Sequence, residues 1–348
     1  MAQSFTMYQV EYMNDIIIEM FPGEAQAPVP PVYRWGLEVI RVIQGMESPA
    51  LTALIRFITA LGTEMFYVPL ILVLFWWVDE KRALRLGLLL VLSAWINMVL
   101  KDLFRQPRPF TLEPSLGLAH EESYGIPSAH AQGSLTFWVP ISAWLGSVWK
   151  GKRALLWAGT VLFLLLMGFT RLYLGVHFPT DILAGWFLGG IILFIYFVPG
   201  PALEKKCSSL DGRFLNIITA LLVLAMNGLY PRDRTLPALF LGFSIGYTLM
   251  KQRFPFSPRG EIQGKKPGLG IMAARGLTGF AGGAILFLAL GLLLPGEGSL
   301  FGSLPGWGAS SPLYDLGRFI LYGTLGFWFS AGAPRMFQHL GLAEDPKK

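Results

Sequence analysis

Apolar runs long enough to cross a bilayer recur along this chain, and they leave its ionisable residues little room except the segments between them. About 20 consecutive apolar residues make one helical span. Nine spans are read on that measure, at 65–79, 83–101, 130–149, 153–170, 180–199, 214–230, 236–250, 270–294 and 316–334. Charged residues make up 14% of the chain, whereas a soluble domain carries about 25%. That is too few to cover a water-facing surface. The expected fold is all-α, a polytopic membrane helical bundle of about nine transmembrane helices. Residues 1–64 are read as an extracytoplasmic amphipathic region, 65–200 as the core that carries the chemistry, and 201–348 as additional transmembrane helices of unassigned role.

Basic residues fall in alternate loops: Lys81, Arg82 and Arg85; Lys150, Lys152 and Arg153; Lys205, Lys206 and Arg213; the stretch from Lys251 to Lys266; and Arg335, Lys347 and Lys348 at the end. By the positive-inside rule these loops are cytoplasmic, which puts the amino terminus outside and the carboxyl terminus inside. Of the eleven lysines, only Lys101 falls on the outer side. The net charge of +6 is dispersed between spans rather than gathered in one patch, which argues against nucleic acid as a partner. The lone Cys207 excludes a disulfide framework and a cysteine metal site. Residues 1–30 carry Glu11, Asp15, Glu19 and Glu24 with no basic segment before an apolar run, so no cleavable signal peptide is expected. Residues 37–61 place apolar side chains at helical spacing around Arg41, Glu47 and Arg56, with a break at Pro49. They read as interfacial amphipathic helices on the outer surface, or else as a short re-entrant helix.

Three clusters stand out against this background: Lys101 to Pro109, Pro127 to His130, and Arg171 to Asp181. Lys101 ends the second span and His130 begins the third; Arg171 ends the fourth and Asp181 begins the fifth. Span parity therefore brings all three to one face. Ionisable residues in a membrane bundle are costly unless paired, and they mark function by default. Arg108 and Arg171 match phosphate oxygens bidentately, and Lys101 adds a third cation. Ser128 offers a hydroxyl, and the amides around Ala129 and His130 sit at a helix amino terminus, where anions bind. An Asp181–His177 hydrogen bond would fix the imidazole tautomer and leave the other nitrogen free to attack phosphorus. His130 would then protonate the leaving oxygen.

The pattern Lys-x6-Arg-Pro (Lys101, Arg108, Pro109), Pro-Ser-x-His (Pro127, Ser128, His130) and Arg-x5-His-x3-Asp (Arg171, His177, Asp181) resembles the type 2 phosphatidic acid phosphatase superfamily over residues 50–200. That superfamily includes lipid phosphate phosphatases, glucose-6-phosphatase and vanadium haloperoxidases. The resemblance implies a phosphohistidine at His177, oriented by Asp181, with His130 as general acid and later activator of water. It further implies a phosphate held by Lys101, Arg108, Ser128, the Ala129 amide and Arg171, with no metal and no cofactor. Ala129 stands where the family usually has glycine, and Thr170 where it usually has serine.

The implied function is an integral-membrane phosphatase acting on a lipid phosphate or pyrophosphate at the extracytoplasmic face of a bacterial plasma membrane. Alternatives are a lipid phosphotransferase, a phosphatase for a soluble ester, and a lipid-binding or transport scaffold. The partners expected are the lipid substrate and the bilayer. Small-residue patterns at Gly242–Gly246 and Gly279–Gly283 suit close packing within the chain, with a homodimer as the alternative. His120, Glu121 and Glu122 read as a solvated loop rather than metal ligands, Arg232 and Arg234 as a solvated turn, and His339 as structural. Arg105 is read equally as a headgroup contact or as a residue hydrating its loop.

Overall fold

The computed structural model describes residues 29–262, 264–295, 299–300 and 311–344. The acidic segment before residue 29 lies outside them. Among the described residues the regular structure is helical, with a single isolated bridge between Ile262 and Lys265. The longer helices are α1 (Pro31–Gln44), α2 (Pro49–Ala60), α3 (Glu64–Trp77), α4 (Glu80–Phe104), α5 (Ala129–Val148), α6 (Arg153–Tyr173), α7 (Pro179–Phe197), α8 (Gly200–Ser208), α9 (Gly212–Leu229), α10 (Thr235–Arg253), α11 (Leu269–Leu293) and α12 (Pro312–Phe327). A π-helical turn, Trp328–Gly332, joins α12 to the short α13 (Ala333–His339).

Local signals set the ends of these helices. Proline occupies the first turn of α1, α2, α7 and α12, where its missing N–H costs nothing. Side chains of Ser48, Asp79, Ser128, Asp211 and Ser311 cap α2, α4, α5, α9 and α12, each satisfying a backbone N–H that the helix leaves open. Arg105, in the left-handed region at φ 48°, terminates α4.

Among the described residues five helical segments are long and apolar enough to cross a membrane: Glu80–Leu112, Lys150–Tyr173, Pro179–Phe197, Gly212–Leu229 and Leu269–Leu293. The pair α2 and α3, bent by 44°, makes a sixth if taken as one broken span. Leu155, Leu162, Phe187, Leu224 and Leu277 expose apolar side chains on these helices, as a lipid-facing surface requires. Helix α5 corresponds to the expected span 130–149 but is not among the five. It buries Gln132, Ser134, Thr136 and Ser142 against neighbouring helices, so protein rather than lipid covers its polar face.

The amino-terminal helices are not merely laid on the surface. Gly36, Leu37 and Ile40 of α1 are buried, the latter two with Leu116 and Phe178, and Ile55 of α2 packs with Phe110 and Tyr173. Side-chain bonds reinforce the contact: Gln44 Nε2 donates to the carbonyls of Leu116 and Tyr173, and the Thr52 and Tyr173 hydroxyls lie 2.8 Å apart. These helices roof the third cluster and the segment that follows the first.

At the other end, α10 and α12 pack closely. A Cβ on Gly242 would come within 1.9 Å of the Gly323 carbonyl oxygen, so only glycine permits this approach. The small-residue face of α10 is thus used within the chain. The turn at 230–234 is solvent-exposed, as expected, and also pinned by ion pairs. Arg232 pairs with Asp102 of α4 at 2.8 Å, Tyr230 donates to the same carboxylate at 3.0 Å, and Arg234 meets Asp315 at 3.2 Å.

Candidate active site

The three clusters meet at one end of α4, α5, α6 and α7. Lys101 occupies the last turn of α4, and Arg108 lies just beyond it, before a single helical turn, Pro109–Leu112. Ser128 caps α5, and its backbone N–H donates to the Asp181 carbonyl at 2.9 Å. Arg171 is in the last turn of α6. The chain then turns through Gly175, whose φ of +66° and contact with the Leu116 carbonyl leave no room for a side chain. This turn delivers His177 to the start of α7. Lys101, Arg108, Ser128, Arg171, His177 and Asp181 are all buried.

His177 Nδ1 lies 3.2 Å from Asp181 Oδ2, an oxygen that also accepts the Phe178 N–H at 2.9 Å. On the other side of the ring, Nε2 is 3.3 Å from Arg108 Nη1. Both contacts are satisfied by the tautomer that carries its proton on Nδ1, which leaves the Nε2 lone pair facing the guanidinium. Burial first, and then the cations of Arg108, Lys101 and Arg171, hold this imidazole well below its ordinary pKa. The ring is neutral at physiological pH. His130, on the first turn of α5, is half-buried and within electrostatic reach of His177. Its ring approaches the bend between α2 and α3, and a Cβ on Gly62 would lie 3.2 Å from its Cδ2. Ala129, where the family usually has glycine, is exposed at the head of the same helix.

One loop contacts all three cations, while Arg108 Nη1 donates as well to the Val176 carbonyl at 2.7 Å. Lys101 Nζ donates to the carbonyls of Tyr124 and Gly125. Arg108 Nε donates to the Ser123 carbonyl at 2.5 Å and Nη2 to the Ser123 hydroxyl at 3.0 Å. Glu121 bridges the two arginines, with Oε2 2.7 Å from Arg108 Nη2 and Oε1 bonded to Arg171 Nη2. Oε2 is also 3.8 Å from His177 Nε2. The sequence reading of Glu121 as part of a solvated loop is therefore corrected: two buried guanidiniums draw its carboxylate inward. Arg171 Nη1 donates to Thr59 Oγ1 of α2 at 2.7 Å, while Arg171 Nε is buried with no partner among the described residues.

The model of the PAP2 superfamily matches residues 82–202, and that of the PAP2 superfamily phosphatase, transmembrane extension, matches residues 235–345. Phosphatidylglycerophosphatase B of Bacillus subtilis is 32% identical over 159 residues, which cover 43% of this chain and 75% of that protein. The chain belongs to the PAP2 superfamily. Undecaprenyl-diphosphatase of Sulfolobus acidocaldarius is 29% identical over 173 residues, covering 46% of this chain and 76% of its own. Sphingosine-1-phosphate phosphatase 2 of Mus musculus is 29% identical over 256 residues, covering 68% and 70%. The PAP2 chain is thus an integral-membrane phosphatase, embedded through its apolar helices.

Around the PAP2 site lie side chains that the motif spacing does not reveal. Asn97 of α4 donates to the Pro127 carbonyl at 3.2 Å and to Gln132 Oε1 at 2.7 Å, and Gln132 Nε2 donates to both oxygens of Ser93 at 2.8 Å. This buried network fixes the turn that precedes Ser128. Two amides inside otherwise apolar spans were its signal. Thr59 and Glu121 had none, because each acquires its role only when a distant segment folds over the site.

Proposed function

We propose that this PAP2 protein hydrolyses the terminal phosphate of a membrane lipid through a phosphohistidine on His177. The observation that carries the reading is the two-sided setting of this ring: Asp181 at Nδ1, and Arg108 and Arg171 gathered beyond Nε2. A neutral, oriented imidazole facing two guanidiniums suits attack on a phosphate whose charge those cations absorb. Nε2 bonds to phosphorus as the ester oxygen leaves with a proton from His130. His130 then takes a proton from water, the hydroxide attacks phosphorus, and the P–N bond breaks to release orthophosphate. Lys101, Ser128 and the Ala129 amide complete the phosphate clamp, and this assignment is metal-independent.

The substrate class follows the relatives, whose names specify undecaprenyl diphosphate, phosphatidylglycerophosphate and sphingosine 1-phosphate. A site at helix ends suits an amphiphile whose tail stays in the bilayer. The proposed topology has nine spans, with α5 and α10 enclosed by the others. The site faces outward from a bacterial inner membrane, the amino terminus lies outside and the carboxyl terminus in the cytosol. In this scheme 65–200 is the phosphatase core and 201–348 a supporting membrane unit.

The purified full chain should release phosphate from a panel of lipid phosphates and diphosphates in detergent containing EDTA, and His177→Ala should lower the rate at least about a thousand-fold. Strict dependence on added divalent metal, or full activity in the variant, would sink this mechanism.

A further inference from the structure

Glu121 occupies the place that a phosphate group would take. Its two oxygens each bond one of the buried arginines, and one of them lies 3.8 Å from His177 Nε2. Its neighbours repeat the pattern: Ser123 engages Arg108, and Tyr124 and Gly125 engage Lys101. One short stretch, 121–125, thus takes a contact from each of the three cations assigned to the phosphate. We propose that Glu121 is the resident occupant of the phosphate pocket, and that a phosphorylated substrate binds by displacing its carboxylate. This inference rests on the reading of Lys101, Arg108 and Arg171 as the phosphate clamp.

The fit of the carboxylate is good but incomplete, and that incompleteness lets it be displaced. A carboxylate has two oxygens, and both are used on Nη2 atoms. Arg171 Nε remains buried and unpartnered among the described residues. A terminal phosphate brings three oxygens, so it can bond both arginines and supply an acceptor to Nε as well. It also carries more negative charge into the same field. Glu121 has somewhere to go, since its side chain is 28% exposed and the adjoining Glu122 and Ser123 are exposed. Its departure relieves the repulsion that two anions in one pocket would create. In the absence of substrate the carboxylate stops two buried guanidiniums from standing unpaired, which would be strongly destabilising.

An internal competitor of this kind lowers the apparent affinity of every phosphate ligand by one common factor, the fraction of molecules whose pocket is open. Glu121→Gln keeps the shape of the side chain and removes the charge. With a short-chain phosphatidate as substrate and inorganic orthophosphate as inhibitor, the variant should show KM and Ki lowered together, by roughly ten-fold if about one molecule in ten is open. Turnover should stay within about three-fold, because the carboxylate has left before the chemical step. Glu121→Asp, one methylene too short to bridge both arginines, should fall between wild type and Glu121→Gln, and it provides the test if Glu121→Gln unfolds early in thermal melts. Unchanged or raised KM and Ki, or a loss of kcat with KM intact, would overturn the proposal. Should the wild type release phosphate while Glu121→Gln binds it no tighter, the displacement fails and the phosphatase reading stands. Should the wild type hydrolyse no lipid phosphate, that reading fails, and orthophosphate-induced stabilisation of the two proteins still tests the displacement.

Discussion

Two sets of buried arginines, at different places in the fold, are satisfied by different partners. Arg108 and Arg171 share a side-chain carboxylate on a partly exposed loop, and Arg108 donates as well to the main-chain carbonyls of Ser123 and Val176. Arg275, in α11 of the extension, is fully buried and donates to the main-chain carbonyls of Leu342, Trp76 and Pro258 at 2.7–3.1 Å, with its guanidinium over the Phe256 ring. Main-chain carbonyls are fixed by the fold and cannot be exchanged for a ligand. A glutamate on a loop can. Burial of a cation therefore says little about its purpose, and the partner that satisfies it says more. Arg275 joins α3, the loop after α10 and the carboxyl-terminal segment. In the proposed displacement, Arg108 and Arg171 instead exchange a loop carboxylate for the ligand.

The sharpest way to break this comparison is to remove one arginine of each kind. Arg171→Ala should lower kcat/KM by roughly a hundred-fold or more, the usual loss of one donor to a developing oxyanion, with little change in thermal midpoint. Arg275→Met should do the reverse: steady-state kinetics near wild type, and a stability loss of about 3 kcal/mol in denaturant titrations, from carbonyls left without a donor. If Arg275→Met instead raised KM as Arg171→Ala does, the division between held and waiting arginines would be wrong. A smaller effect is expected at Asn97→Ala, which frees the Pro127 carbonyl and Gln132. It should cost about 1–2 kcal/mol and loosen the turn before Ser128, visible as faster proteolysis there.

The smallest expected effect concerns pH. The folded protein holds His177 below its ordinary pKa, whereas the unfolded chain titrates near 6.5. Above that pH both states are neutral and the group contributes nothing to pH dependence. As pH falls through 6.5 the unfolded chain gains a proton that the folded one refuses, so stability declines. In melts recorded across this range, His177→Gln should show a shallower decline than wild type. An equal slope would mean that the imidazole takes up its proton without unfolding.

The two sets of arginines also differ in how much the sequence revealed. Lys101, Arg108, Ser128, Arg171, His177 and Asp181 are legible because their spacing and span parity alone bring them to one face. Arg275 lay unread inside the expected span 270–294, although a lone cation in an apolar run is itself a signal. Glu121 was misread because a charged loop residue looks solvated until its loop is known to fold back. Each of the nine expected spans has a helix, but among the described residues membrane-crossing length and apolarity belong to five, or six with the bent pair. Helices α5 and α10 mix polar and apolar residues, and α12 has only 16 residues. The roof formed by α1 and α2 was seen only as an amphipathic surface layer, because amphipathicity indicates that a face is covered without saying by what.

The tie between Asp102 and the turn at 230–234 sets a mechanical relation between the halves of the molecule. Asp102 is the next residue along the backbone from Lys101, and its carboxylate is gripped by Tyr230 and Arg232. Asp233 of that turn and Thr235 just after it are engaged by Arg318 of α12. The extension thus behaves as a handle on the end of α4. The side-chain tie from the extension therefore ends one residue from Lys101, in the last turn of α4.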